Sequence, residues 1–309
     1  LSAVSGQTIT VHYATANGTA TAGSDYVAAS GTLTFSPGTA SQTISVTVNG
    51  DVTNEADETY VVNLTTPANV TIVDAQGIGT ITNDDAVPSL SISNVSQAEG
   101  NSGTTNASFT VSLSATSGQT VTVDYLTSDG TAIAGSDYAA ASGVVTFSPG
   151  TITQTVNIVI DGDLLNEPDE TYVVDLSGAS NATISDAQGL GTILNDDALP
   201  AISINDVSVA EGNSGTVNAN FTVSLTAASG QTVTVSYTTA DGSATAGSDY
   251  VSSGGTVTFP PGSTTQPVTV VVNGDLTNES NETFTVNLSG PSNATISDAQ
   301  GVGTITNDD

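Results

Sequence analysis

The stretch ASFTVSLSATSGQTVTVDYLT, residues 107–127, decides the fold. Phe109, Val111 and Leu113 alternate with Thr110 and Ser112, and Val121, Val123 and Tyr125 alternate with Thr122 and Asp124. Successive side chains of a strand point to opposite faces, so period-two alternation marks a half-buried strand. Val and Thr suit that pleated surface by propensity. The same alternation returns at Val145 and Phe147, at Val156, Ile158 and Ile160, and at Tyr172, Val174 and Leu176. Turn clusters such as SDG at 128–130 and SPG at 148–150 separate these runs, and no helix-period segment exceeds a turn. Strands are expected over 89–98, 107–114, 119–127, 143–147, 154–161, 170–177 and, interrupted, 182–194. Seven alternating strands in a unit of this size predict an all-β fold, an antiparallel Greek-key sandwich of immunoglobulin type. Asp186-Ala187-Gln188-Gly189, which recurs at Asp74 and Asp298, breaks the last strand; its Gly reads as a bulge or tight turn and its Asp as a turn-former.

Working outward, the whole unit repeats. SGQT begins at Ser5, Ser117 and Ser229, GSDY at Gly23, Gly135 and Gly247, and the runs TNDD or LNDD end at Asp85, Asp197 and Asp309, always 112 residues apart. A period of that length is a domain rather than a solenoid turn. The chain reads as a tandem array of about seven strands per copy: 1–85, 86–197 and 198–309. Leu1 aligns with Leu113, so the first copy lacks 27 residues at its front. That reads as a window of a longer array; the alternative is donation of those strands by another subunit.

Composition narrows the function. Among 309 residues there is no Lys or Arg against 31 Asp plus Glu, for a formal net charge of −31. Such a chain lacks the basic footprint that nucleic acid or an anionic membrane surface requires. With 37% hydrophobic residues and a mean hydropathy of +0.07, it still has material for a core. No Cys is present, so disulfides and thiolate chemistry are excluded. No apolar run approaches the roughly 18 residues of a membrane span. His12, the one histidine, aligns with Asp124 and Ser236, which rules out a repeated histidine-based catalytic array.

Twenty of the 31 carboxylates keep register between copies. They are Glu99 and Glu211; Asp25, Asp137 and Asp249; Asp51, Asp163 and Asp275; Glu55, Glu167 and Glu279; Glu58, Glu170 and Glu282; and the pairs Asp84/Asp85, Asp196/Asp197 and Asp308/Asp309. In an up-and-down strand order these positions fall at one tip of each sandwich, where the chain exits to the next copy. Two unit charges about 4–5 Å apart repel by roughly 3–4 kcal/mol at an effective dielectric near 20. Several such pairs rival the stability of a domain, about 5–15 kcal/mol. A hard divalent cation answers this: Ca2+ accepts six to eight oxygens in a flexible shell, whereas Mg2+ is stricter and Zn2+ favours His or Cys. Calcium is the expected cofactor and those twenty residues the expected ligands.

The same residues carry a resemblance. AEG at Ala98–Gly100, GSDY, the stretches GDVTNEADETY, GDLLNEPDETY and GDLTNESNETF that begin at Gly50, Gly162 and Gly274, and the terminal NDD together resemble the Calx-beta family. That implies immunoglobulin-like sandwiches binding Ca2+ at the tip, as in sodium–calcium exchanger regulatory loops and in large bacterial surface proteins. The lysine-free, Thr/Ser/Asn/Gly-rich composition resembles the bacterial giant-adhesin group, and the first copy departs from the pattern in lacking the AEG glutamate. The expected function is a non-enzymatic, secreted or cell-surface array, bacterial, whose repeats bind Ca2+ at their joints to stiffen a rod or filament. Its partners are neighbouring repeats and, by self-association, other copies. The alternative is a Ca2+-sensing regulatory module of a larger membrane or secreted protein. A glycosidase-type carboxylate pair such as Glu167/Glu170 is disfavoured, because it recurs beside every joint with no aromatic sugar platform.

Overall fold

The computed structural model describes all 309 residues and is built of strands without helices. The first repeat forms a single sheet from β1 (Ile9–Asn17), β2 (Ser30–Phe35), β3 (Glu58–Ala68) and β4 (Gln76–Ile81), in the order β2-β1-β3-β4. The second repeat contributes β5 (Ser89–Ile92), β6 (Val95–Ala98), β7 (Gly103–Leu113), β8 (Val121–Asp129) and β9 (Ser142–Phe147). It continues with β10 (Thr153–Gly162), β11 (Glu170–Ser180), β12 (Thr183–Ile184) and β13 (Gln188–Leu194). These make two facing sheets, β10-β7-β5-β12 and β6-β13-β11-β8-β9. The third repeat copies this with β14 (Ala201–Ile204), β15 (Val207–Ala210), β16 (Gly215–Leu225), β17 (Val233–Asp241) and β18 (Gly254–Phe259). Its remaining strands are β19 (Thr265–Gly274), β20 (Glu282–Ser292), β21 (Thr295–Ile296) and β22 (Gln300–Thr306).

The alternating residues supply the cores. Phe109, Val111, Val121, Val123, Ile158 and Val174 are fully enclosed between the two sheets of the second repeat, and their equivalents fill the third. The interruption expected around Asp186 separates β12 from β13, and the Asp186 carboxylate accepts a bond from the Gln188 amide at 3.3 Å, a local turn.

Two expectations are corrected. The single strand expected over 89–98 is two strands in different sheets, β5 antiparallel to β7 and β6 parallel to β13. The crossover sits at Ser93 and Asn94, whose side chains accept the amides of Thr110 (2.9 Å) and Leu190 (2.8 Å) and so replace the ladder bonds lost there. The first repeat has four strands rather than about seven. Its residues 41–48 keep the apolar alternation through Ile44, Val46 and Val48, yet only Val48 makes a bridge, to Tyr26. The same positions in β10 and β19 each pair along ten residues, with β7 and β16. Alternation makes a strand only where a ladder partner lies alongside.

Candidate metal centre at the repeat tip

In each repeat the GSDY loop brings its Asp to the tip by anchoring the following Tyr in the core. Tyr138 is 1% exposed, stacks on Tyr172 at 4.6 Å between ring centroids, and donates its hydroxyl to Asp129 at 2.6 Å. Tyr250 and Tyr26 do the same against Phe284 with Asp241, and against Tyr60 with Asn17. The Asp137 carboxylate also accepts the Ile133 amide at 2.7 Å, which closes the loop. The glutamates arrive from the segment before β11 and from its first residue, so Asp137, Glu167 and Glu170 converge with ligand atoms within 4.8 Å of one another. Asp25, Glu55 and Glu58 form the matching cluster in the first repeat, and Asp249, Glu279 and Glu282 in the third.

The second repeat carries a further cluster, Glu99, Asp196 and Asp197. Glu99 ends the β6 side of the tip and Asp196 follows β13; Asp196 accepts the Gly100 amide at 3.1 Å. Close approach here explains the glycine of the GD motif: a Cβ on Gly162 would collide with the Gly100 carbonyl, as one on Gly274 would with that of Gly212. Glu99 and Asp197 are buried, at 6% and 8% exposure, and Asp197 Oδ2 has no hydrogen-bond partner. Asp309 Oδ2 is equally orphaned in the third repeat. A buried, unpartnered carboxylate oxygen among further carboxylates, in a chain without Lys or Arg, fits a hard divalent cation.

The remaining predicted carboxylates lie at the same tips without entering these tight groups. Asp51, Asp84 and Asp85 line one cleft with Asp25, Glu55 and Glu58. Asp163 faces Glu99 and Glu167, and Asp275, Asp308 and Asp309 face Glu211. Asp51, Asp163 and Asp275 each accept the amide two residues on at 2.6 Å, which shapes the following loop.

Sequence reasoning missed the asparagines, although they too recur every 112 residues. Asn83 and Asn195 hold the Glu55 and Glu167 amides at 2.9 Å, and Asn101 donates to Asp197. Asn54 and Asn166, 5% and 6% exposed, make the joints. The Asn166 side chain donates to the Asp197 carbonyl at 2.8 Å, while its own carbonyl accepts the Ser229 hydroxyl (3.0 Å) and the Gly230 amide (3.2 Å) of the next repeat. Asn54 does likewise with Asp85, Ser117 and Gly118. The SGQT turn of each following repeat thus sits directly on the carboxylate tip before it. Asn278, the third equivalent, has no repeat against it here and is exposed.

The charge has a measurable signature. Burial first, then Asp163, Asp197, Glu167 and Asp196, push the Glu99 carboxyl up to about 7; burial and Asp137 raise Glu170 to about 7 as well. A carboxyl raised on folding binds its proton more tightly in the native state, so metal-free stability increases as pH falls. The gain accrues between about 7 and the ordinary value of 4.5. It is on the order of 3 kcal/mol for Glu99, and less for Glu170, which keeps more solvent contact. Melting of the second repeat in EDTA is expected to move upward from pH 8 to pH 5; a downward shift would contradict this tip electrostatics.

The family model of the Calx-beta domain matches residues 2–85, 83–198 and 195–308. The chain belongs to the Calx-beta family. Membership bears out the resemblance, the immunoglobulin-like fold and the non-enzymatic reading. Among relatives, sodium/calcium exchanger 2 of Rattus norvegicus is 32% identical over 192 residues, covering 55% of this chain and 20% of that protein. Sodium/calcium exchanger 1 of Canis lupus familiaris is 39% identical over 71 residues, covering 23% and 7%. The chain therefore spans a fifth or less of the length of these relatives. The crystal structure of CBD12 from CALX1.2 aligns at a TM-score of 0.33 and 22% identity, over 66% of this chain and 80% of that one.

Proposed function

We propose that this chain is a tandem Ca2+-binding module whose ions, held by the register-conserved tip carboxylates, set the geometry between successive repeats 1–85, 86–197 and 198–309. The observation that carries this is Asn166: one neighbour in sequence, Glu167, belongs to a carboxylate cluster, and its side chain holds the backbone of Asp197 in the other. Its carbonyl meanwhile grips the next repeat. An ion that fixes either cluster fixes the joint. The Mechanism needs only carboxylate oxygens and the short linkers before Pro88 and Pro200, which restrict the backbone.

Family relatives that are sodium/calcium exchangers favour the regulatory-module reading, in which Ca2+ occupancy is reported as a change of inter-repeat angle. The secreted or surface-exposed bacterial spacing array, with filament formation by self-association, takes second place. It rests on copies that match without insertion or deletion and on the lysine-free composition. Small-angle scattering tests the shared mechanism. In millimolar Ca2+ the maximum dimension is expected to be longer and the distance distribution narrower than in excess chelator; identical profiles would end it.

A further inference from the structure

We propose that the first repeat is a strand-acceptor site. Its occupant is an extended two-strand segment, supplied in trans, of the kind that opens the second and third repeats. Four independent features of the first repeat point to it. Ile9, Val11, Phe35, Leu64, Val70 and Ile72 line an open apolar groove. Their counterparts in the second repeat, among them Val121, Val123 and Phe147, are covered by Leu90 and Ile92 of β5 and Phe109 and Val111 of β7. Residues 41–48 carry a strand pattern with their ladder groups unpaired, and Val48 is 46% exposed where its counterpart Ile160 is fully buried. Gly50 faces open space, whereas Gly162 and Gly274 are packed against the backbone of the AEG turn. Finally, Asp84 and Asp85 stand without the glutamate that Asp196 and Asp197 share a cluster with.

The internal copies say what fills all four. A segment with the pattern of residues 86–112 would lay its first strand over the groove and pair its second with residues 41–48. The register is fixed by β10 and β7, where Val156, Ile158 and Ile160 oppose Phe109, Ala107 and Thr105. Ile44, Val46 and Val48 of the acceptor therefore oppose the Phe, Ala and Thr of the donor. Main-chain ladder bonds give such augmentation its affinity and the alternate apolar side chains its specificity. The incoming AEG turn also delivers a glutamate beside Asp84 and Asp85, so that the donated strand completes a second cation cluster. That last limb rests on the Ca2+ reading above; the groove and ladder do not.

A fluorescently labelled synthetic peptide of residues 86–112 of this chain tests the proposal by anisotropy against the intact protein. Saturable one-to-one binding is expected, with new hydrogen-exchange protection at residues 44–48. A peptide carrying Leu90→Asp and Ile92→Asp should bind at least tenfold more weakly, and it leaves the folding of the protein untouched. Protein carrying Val11→Asp should lose binding equally while the second and third repeats melt normally. No saturable binding, or binding indifferent to both changes, would overturn the acceptor site. So would a chain that alone sediments as a dimer with residues 44–48 already protected, because a second copy would then hold the groove. Extending the peptide to residue 114 leaves Glu99 in place; Ca2+ should tighten its binding several-fold, and Glu99→Gln in the peptide should abolish only that gain. Equal affinity with and without Ca2+ would overturn the completed cluster and leave the strand site standing.

Discussion

In millimolar Ca2+ the chain is expected to melt roughly 15 °C or more above its midpoint in excess EDTA. The size follows from linkage: an ion bound only by the native state with a dissociation constant near 10 µM contributes about 2.7 kcal/mol at a hundredfold excess. Two ions per repeat contribute about 5 kcal/mol, and 1 kcal/mol shifts a domain of about 110 residues by roughly 3–5 °C. The reference state is also unusually poor. Without an ion the Glu99 carboxyl is buried beside Asp196 and Asp197 while facing Asp163 and Glu167, and no cation of the protein relieves it. The second repeat, which has both tight clusters, should gain most and the first least. Mg2+ should recover only a fraction, since these loops offer clustered carboxylates rather than the near-ideal octahedron Mg2+ requires. Differential scanning calorimetry with both ions checks this, and superimposable traces in Ca2+ and EDTA would remove calcium from the account.

The fold was legible because each level of the sequence agreed with the next. Period-two runs such as Phe109–Leu113 place their apolar members inside, and the 112-residue repeat showed which positions every copy keeps. The convergence of Asp137, Glu167 and Glu170 followed from counting strand directions. What could not be read was the division of one apolar run between two sheets. Residues 89–98 alternate throughout, and only the Ser93 and Asn94 side chains, by satisfying ladder groups, let the backbone change partners. The joint asparagines escaped for a different reason. Asn166 is a polar residue in a chain full of them, and its significance lies in three bonds reaching 31 to 64 residues away. Recurrence beside the cluster glutamate was the available signal. Residues 41–48 show the opposite failure, a strand pattern whose partner decides whether a strand exists.

The joint yields the sharpest mutational expectation, because the metal tip and the next repeat compete for the same few ångströms. Gly230 donates its amide to the Asn166 carbonyl, and a Cβ built on it would land on Oε1 of Glu167. Its backbone is not in the left-handed region, so Ala is tolerated by the loop itself and the whole conflict falls on the glutamate. The side chain of Glu167 is the flexible partner and gives way, which withdraws one carboxylate from the Asp137–Glu167–Glu170 cluster. Gly230→Ala is therefore expected to weaken Ca2+ binding at the second repeat at least tenfold, about 1.4 kcal/mol, though the substitution lies in the third. Gly118→Ala should act in the same direction on the first repeat, where the added Cβ would lie 2.7 Å from the Glu55 carboxylate. Gly6 occupies the equivalent turn with nothing within 4 Å, so Gly6→Ala is the silent control. Calorimetric titration of the three variants separates a joint that reads the ion from one that merely adjoins it. A Gly230→Ala protein that binds Ca2+ as the parent does would show that the Asn166 contact and the cluster are independent, and the coupling proposed between ion and inter-repeat angle would fall with it.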